Sequence, residues 1–397
     1  MRKAATIYSA KQGGGKKVEE RRNIELEQQR KPRLTKEQRA KLAARKKAKK
    51  RRAALITLSV FLALILIILV VVAVYAGNLL SLINRADDVP LETMSDSEYQ
   101  QMLDSMKETL AEDFTGEVIE EGDVDWEGEV EAIESSEDII NILLIGQDRR
   151  SADQGRQRSD VIILCTVNKP KKTLTITSFM RDLYVQIPGY QDNRINVPYV
   201  LGGMDLLDKT LKTNFGVQVD GNVEVDFFGF IDIVNLMGGL DIELTAAEAK
   251  YLNKNVSWDV DDGSSKNWNL KEGMNHLTGS QALAYARMRY VGNGDYERTQ
   301  RQRRVVKQLV EKAKELSISE LNLILQYALP MITTDLDNSQ IMNYALELFP
   351  MLKDLTIETM RIPVNNGYQS TYVREMAVLV PDLSTNRSAL KEIMELD

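Results

Sequence analysis

The sequence predicts an α/β domain (α+β mixed), a central mixed sheet flanked by helices and preceded by a single transmembrane helix. Three observations predict it. From residue 139 to residue 397, short apolar runs bounded by turn residues alternate with helix-patterned stretches. Residues 53–77, "AALITLSVFLALILIILVVVAVYAG", run for 25 positions without a charge. The charge is also divided sharply along a chain whose formal total is −7.

Residues 1–52 hold 20 Lys/Arg against 5 Asp/Glu, a balance of +15. The apolar run that follows, at about 1.5 Å per residue, spans a hydrocarbon core of about 30 Å with some tilt. A cleavable signal peptide has a shorter apolar core, a short basic n-region and a small-x-small cleavage site, whereas the basic arm and the apolar run here are both long. An uncleaved anchor is therefore expected. The flank "KKAKKRR" opposes "NLLSLINRADD", so the positive-inside rule puts the N-terminus in the cytoplasm and the rest outside the cell membrane. The tail reads as a topogenic arm lying on anionic lipid head groups, with nucleic-acid binding as the alternative. Residues 78–138 carry 20 Asp/Glu and only Arg85 and Lys107, a balance of −18. They are expected to form an acidic extracytoplasmic stalk with a short helix over "SDSEYQQMLDSMKETLAED". Residues 139–397 then form the folded domain, with a net charge near −4.

In that domain "IINILLIGQD" and "DVIILCTVN" read as strands covered on both faces. "TLTITSFMRDLYVQIP" is a strand and then a loop. A helix marked by Leu206, Leu207 and Leu211 stops at Gly216. "VEVDFFGFIDIVNLMGGLDIEL" reads as strand, helix, Gly-Gly stop and strand. "TGSQALAYARMRY" and "YERTQRQRRVVKQLVEKAKEL" are helical. Two apolar helical stretches lead to the strands "IETMRIPV" and "EMAVLVPD", and "STNRSALKEIMEL" closes the chain as a helix. The lone cysteine, Cys165, excludes an internal disulfide and reads as a buried thiol. The lone histidine, His276 in "GMNHLTG", excludes a histidine metal cluster and reads as structural, in a turn before a helix.

Four polar clusters carry the chemistry. In "GQDRRSADQGRQRSD", Asp148 ends one strand while Arg158 and Asp160 open the next, two apart and therefore on one face. The two carboxylates suit a hard cation such as Mg²⁺, or equally a loop salt bridge with an arginine. "SFMRD" places Arg181 and Asp182 at a strand exit. In "ARMRY", Arg287 and Arg289 would diverge by about 200° on a helix, so serving one anion requires the helix to end near Ala286. Otherwise they are two solvated arginines. In "GDYERTQRQRR", Asp295 is a candidate N-cap, and Arg298 and Gln302 share a helical face. Arg301, Arg303 and Arg304 point elsewhere and read as surface charge. The arginine fork, always protonated, favours a phosphorylated ligand over a simple carboxylate. No Walker loop, dinucleotide fingerprint or basic stripe with interleaved aromatics occurs, which argues against nucleic acid. At an outer membrane surface, the available phosphate is a lipid-linked one.

Taken in order, "NILLIGQD", "RSDVIIL", "SFMRDLYVQIPG", "RINVPYVLGG", "VDFFGFIDIVNLMGGLDIEL", "LTGSQALAYARMRY" and "GDYERTQRQRRVV" resemble the LytR-CpsA-Psr family of Gram-positive bacteria. The resemblance implies an extracytoplasmic phosphotransferase. Such an enzyme moves a glycopolymer (wall teichoic acid, capsule or other wall polysaccharide) from a polyprenyl pyrophosphate carrier to a peptidoglycan hydroxyl, forming a phosphodiester. It implies that Arg158, Arg181, Arg287, Arg289 and Arg298 bind the pyrophosphate, with Gln302 as a further ligand. It implies that Asp148 and Asp160 hold Mg²⁺, with Mn²⁺ as the substitute. Asp295 matches a further motif position, orienting an arginine or taking a proton, and Asp182 is the other candidate base. An apolar tunnel for the lipid is implied between sheet and helices, with pyrophosphatase action as a side activity. The alternative is a non-catalytic polyprenyl-phosphate sensor that attenuates envelope genes. On the enzyme reading, Arg287→Ala or Asp160→Ala abolishes transfer and leaves the fold intact.

Overall fold

The structure, a computed structural model, describes residues 35–37, 40–41, 47, 65–67, 70–86, 95–107, 118–124, 126, 132–133, 136–147, 156–254 and 268–395. The chain divides into two units, 1–75 and 76–397. In the first, residues 70–75 are helical. Among the described residues no helix is long and apolar enough to cross a membrane, and much of the expected span at 53–77 lies outside them.

The second unit runs β1 (Asn84–Arg85), α1 (Asp96–Asp104), β2 (Ile139–Gln147), β3 (Ser159–Asn168), β4 (Thr173–Phe179), β5 (Tyr184–Val185), β6 (Asn193–Arg194) and α2 (Pro198–Phe215). It continues β7 (Gly221–Asp226), α3 (Phe227–Leu236), β8 (Leu240–Leu244), α4 (Ala246–Lys254), β9 (Gly273–Leu277), α5 (Gly279–Arg287), α6 (Asp295–Glu315) and α7 (Ile318–Ala328). The last elements are β10 (Ile332–Thr334), α8 (Asn338–Leu348), β11 (Thr356–Ile362), β12 (Tyr368–Val373), β13 (Met376–Pro381) and α9 (Leu383–Met394).

The main sheet has seven strands in the order β1-β10-β7-β2-β3-β4-β11. It is mixed: β2 runs parallel to β7 and β4 parallel to β11, while β3 is antiparallel to both β2 and β4. The C-terminal ends of β2, β4, β7 and β11 and the start of β3 therefore lie along one edge. On one face, Leu143, Ile145, Ile162 and Leu164 pack against Leu207, Leu211 and Phe215 of α2 and Leu390 of α9. Each such fully buried side chain contributes about 1.5–3 kcal/mol. On the other face, Ile140, Ile163, Ile176 and Ile357 meet Val306 and Val310 of α6 and Tyr344 and Leu348 of α8. A satellite core joins Val234, Leu240, Leu244, Leu277, Tyr285 and Val305.

Local chemistry sets the boundaries. α2 ends on Gly216 at φ 71, and its Gly202-Gly203 pair kinks it, with Gly203 at φ 66. α5 opens on a capping box between Thr278 and Gln281. A Cβ on Gly279 would lie 2.1 Å from the Ile231 carbonyl oxygen, so only glycine lets α5 approach α3 this closely.

Three expectations change. "GMNHL" is strand β9, where His276 Nδ1 meets Asp241 Oδ1 at 2.7 Å on the exposed face of the antiparallel β8–β9 pair. The register, which the turn residues "EGMN" obscured, makes them neighbours; His276 remains structural. β12 pairs with β13, a hairpin whose first strand carries too many polar residues to stand out by periodicity. The acidic segment 78–138, expected as a solvated stalk, packs on the domain at its described positions. Asn84 pairs with Thr333, Met106 is 2% exposed, and Trp126 stacks on Tyr184 while donating to Asp192 Oδ2 at 2.8 Å. Among its described apolar residues Leu80, Ile83, Met106 and Val124 are buried, while Leu82 and Val118 stay exposed.

Candidate functional site

The clusters converge at the sheet edge where β2, β4 and β7 end. β2 and β3 shift register there: Gly146 pairs with Val161 and Gln147 with Ser159. Asp160 is thus the extra residue of a β-bulge, which re-aims its side chain and interrupts the alternation that would set Arg158 and Asp160 on one face. Arg181 lies two residues beyond β4 and falls opposite Asp160 in the extended register. Asp160 Oδ2 accepts from Arg298 Nη2 at 3.0 Å and lies 3.6 Å from Arg289 Nη2; its Oδ1 lies 3.8 Å from Arg181 Nη1. Asp295 accepts from Arg181 Nη2 at 3.2 Å and from Arg298 Nη1 at 3.3 Å. Asp182 extends the network to Arg181 at 3.5 Å and Arg194 at 3.6 Å.

Arg298 is 3% exposed at its side chain, so the network is partly dry and its charges interact strongly. Burial works to raise the carboxyls of Asp160 and Asp295, but the surrounding arginines outweigh it and hold both below the usual carboxylate range. Burial, then repulsion from Arg298 and Arg181, pushes Arg289 down from its usual value. Three cations face two carboxylates at the centre, a local positive surplus that a ligand anion would neutralise. The Nε of Arg298 is buried and has no hydrogen-bond partner among the described residues.

The requirement on Arg287 and Arg289 is met within one residue. α5 ends at Arg287, and Met288 is extended at φ −59, ψ 123. Arg287 then lies over the Phe227 ring, 4.3 Å from its centroid, while Arg289 turns to Asp160. Asp295 is not the N-cap of α6: Gly294 at φ 59 takes that place, and Asp295, the first helical residue, spends its oxygens on arginines. Gln302 is buried one turn beyond Arg298, and Arg158 is half-buried just before β3. Asp148 lies outside the described residues.

Arg301 is not surface charge. It is 2% exposed and donates to Glu248 at 2.8 Å, Glu297 at 2.9 Å and the carbonyls of Met288 and Val291 at 3.0 and 2.8 Å. It thereby fixes the extended segment that carries Arg289. Apart from Glu297, one turn back on α6, its partners come from α4 and the α5–α6 link, which nothing in "TQRQRR" reveals. A second arrangement also escaped sequence reasoning. Glu224 on β7 is buried and accepts from Tyr199 and from Gln147 Nε2, while Gln147 Oε1 accepts from the Gln157 amide at 3.1 Å. This ties the two ends of the segment that leads from Asp148 to Arg158.

Beside the cluster the second face of the sheet is apolar and loosely covered. Ile142, Leu144, Val161 and Cys165 stand mid-sheet under the helices yet are only half-buried. Among the described residues α8 has no buried side chain and α7 only Ala328. Burial pushes the Cys165 thiol up to about 12. Among the described residues no group of three or more His, Cys, Asp or Glu side chains is placed to hold a metal.

A sequence model of the LytR_cpsA_psr family matches residues 95–392. Regulatory protein MsrR of Staphylococcus aureus is 29% identical over 262 residues, 65% of this chain and 75% of MsrR. The Enterococcus faecalis protein named polyisoprenyl-teichoic acid--peptidoglycan teichoic acid transferase TagU is 33% identical over 214 residues, 52% of this chain and 65% of TagU. A solved structure of Bacillus subtilis YwtF (TagT) with bound octaprenyl pyrophosphate lipid aligns with a TM-score of 0.50 at 25% identity, over 67% of this chain and 94% of that one.

Proposed function

The chain belongs to the LytR_cpsA_psr family, and on that premise we propose that it is a phosphotransferase for a polyprenyl pyrophosphate-linked glycopolymer. The observation that carries this reading is the convergence of Arg181, Arg289 and Arg298 on Asp160 and Asp295 at one sheet edge. The transferase name of TagU and the pyrophosphate lipid bound to TagT support it. The pyrophosphate is gripped by Arg158, Arg181, Arg287, Arg289, Arg298 and Gln302, and the polyprenyl tail lies along the apolar face at Val161, Leu144 and Cys165.

Transfer is an in-line displacement. A peptidoglycan hydroxyl oxygen attacks the phosphorus that bears the glycan, the new P–O bond forms, and the bond to the bridging oxygen breaks. Polyprenyl phosphate leaves, and its added negative charge is met by the fixed guanidinium forks. As Arg181 and Arg298 turn from Asp295 to the pyrophosphate, Asp295 loses the partners that depress its pKa and becomes the base that takes the hydroxyl proton. Asp160 is a hard, anionic oxygen donor and fits a divalent cation; with Asp148 it would hold Mg²⁺ or Mn²⁺. When bound, the ion would supply further charge neutralisation on the phosphates.

Residues 53–77 are taken as the membrane span, with the basic tail cytoplasmic and the domain outside. The name of MsrR favours a second reading, a regulatory sensor that binds the lipid without transferring its load. Full-length protein with a polyprenyl pyrophosphate glycan, Mg²⁺ and peptidoglycan decides between them. The transferase reading expects glycan to become covalently linked to peptidoglycan with release of polyprenyl phosphate. Lipid binding with no transfer would sink it.

A further inference from the structure

Two arginines on α6, two residues apart, have unequal surroundings: Arg301 is buried and Arg303 half-buried. Arg301 meets two carboxylates and two carbonyls. Among the described residues Arg303 donates only to the Ser178 hydroxyl, and its Nε is buried with no partner. Burial and then the nearby Arg361 push Arg303 down to about 10. Arg361 pairs in register with Ser178 across β4 and β11. Its Nε donates to the Pro363 carbonyl at 3.0 Å and its Nη2 to Asn365 at 2.8 Å, and its guanidinium lies 4.6 Å from the centroid of the Tyr296 ring. Among the described residues neither guanidinium has a carboxylate at ion-pair distance. Two cations held together, one largely desolvated, are costly unless an anion joins them. Both side chains keep some accessible surface, so an outside ligand can reach them.

We propose that Arg303, Arg361 and Ser178 form a second phosphate subsite, which takes a phosphate group carried by the glycopolymer itself. Ser178 precedes Arg181 by three residues of extended chain, which puts the subsite about 10 Å from the pyrophosphate cluster. Tyr296 sits between the two, adjoining Asp295 in sequence and Arg361 in space. Paired guanidinium forks with a hydroxyl match the oxygens of a phosphate monoester or diester. The inference rests on the transferase reading and deepens it: the transferred polymer is anionic near its reducing end.

The test uses the full chain in lipid nanodiscs and two probes. One is a polyprenyl pyrophosphate disaccharide, the other the same lipid with glycerol phosphate on its outer sugar. The phosphorylated probe is expected to bind about tenfold tighter, the size of one charge-assisted contact. Arg303→Gln and Arg361→Gln should each remove that preference and leave affinity for the neutral probe unchanged, which also reports an intact fold. Ser178→Ala, which removes no charge, should weaken only the phosphorylated probe. Equal affinity of the unmodified protein for both probes overturns the subsite alone, as does a preference that survives both arginine variants. Failure to bind either probe overturns the transferase reading and the subsite with it.

Discussion

Asp160 is the residue on which the site turns, because one carboxylate holds three guanidinium groups that would otherwise repel one another. Asp160→Ala leaves Arg298 buried with Asp295 alone. Removing one partner of a buried pair costs about 3–5 kcal/mol in dry sites, and here Asp295 offsets part of that, so a loss of about 2 kcal/mol is expected from denaturant melts. This revises the expectation that the substitution spares the fold. Arg287→Ala separates the two effects better. Arg287 stacks on Phe227, worth about 0.5–1 kcal/mol at a partly exposed site, so transfer should collapse with little change in melting temperature. A large drop in melting temperature would assign Arg287 a structural role instead. Arg301→Ala should do the opposite of a surface substitution. Leaving Glu248 buried without its cation is expected to cost about 3 kcal/mol or more, and Arg301→Lys, which lacks the fork to reach two carboxylates and two carbonyls, should not rescue it.

At the level of elements, the joint between α2, β7 and β10 holds a carboxylate in an unfavourable place. Burial pushes Asp208 up to about 7, against the hydrogen bond that it accepts from Asn222 at 2.8 Å, and Asp335 and Asp205 push it further. A carboxyl raised from its usual value of 3.8 prefers its proton in the fold. Its favourable contribution is therefore present below pH 4 and is lost as pH rises through about 7. Asp208→Asn should stabilise the domain at pH 8 by on the order of 2 kcal/mol and have little effect at pH 4. Thermal melts across that range check it, and equal stabilisation at both ends would refute it. The opposite sign applies at Asp160 and Asp295, whose depressed pKa values support the fold above about pH 4 and cease to do so below it. On β3, the desolvated Cys165 should resist alkylation at pH 8 in the folded protein and react once unfolded.

Over the whole molecule, charge and apolarity are distributed in sequence blocks: a basic arm, an uncharged run, an acidic segment and a domain near neutrality. The acidic segment belongs to the domain's packing, through Met106, Val124 and Trp126. In wall-stripped cells, protease added outside should digest the domain and leave the basic tail protected. Digestion of the tail with the domain spared would reverse the proposed topology.

The α/β class and the Gly216 stop of α2 were legible in the sequence because each depends on short-range chemistry. A strand declares its period and a glycine its left-handed turn, whereas the N-cap expected at Asp295 falls to Gly294 because Asp295 pairs with Arg181 and Arg298. The arginines themselves were legible as residue types with a preference for phosphate. Their partners were not. Asp160 meets Arg298 across 138 positions of chain, and a single bulge decides which way it points. Arg301 and Arg303 read alike in "TQRQRR", yet one is satisfied by Glu248 and the other faces Arg361, because neighbouring elements arrive there from elsewhere in the chain. The sequence by itself determined the elements and the chemistry available to them. Only the tertiary structure decided which charges meet, since ion pairs depend on strand register and helix placement, and these are fixed by burial of the whole core.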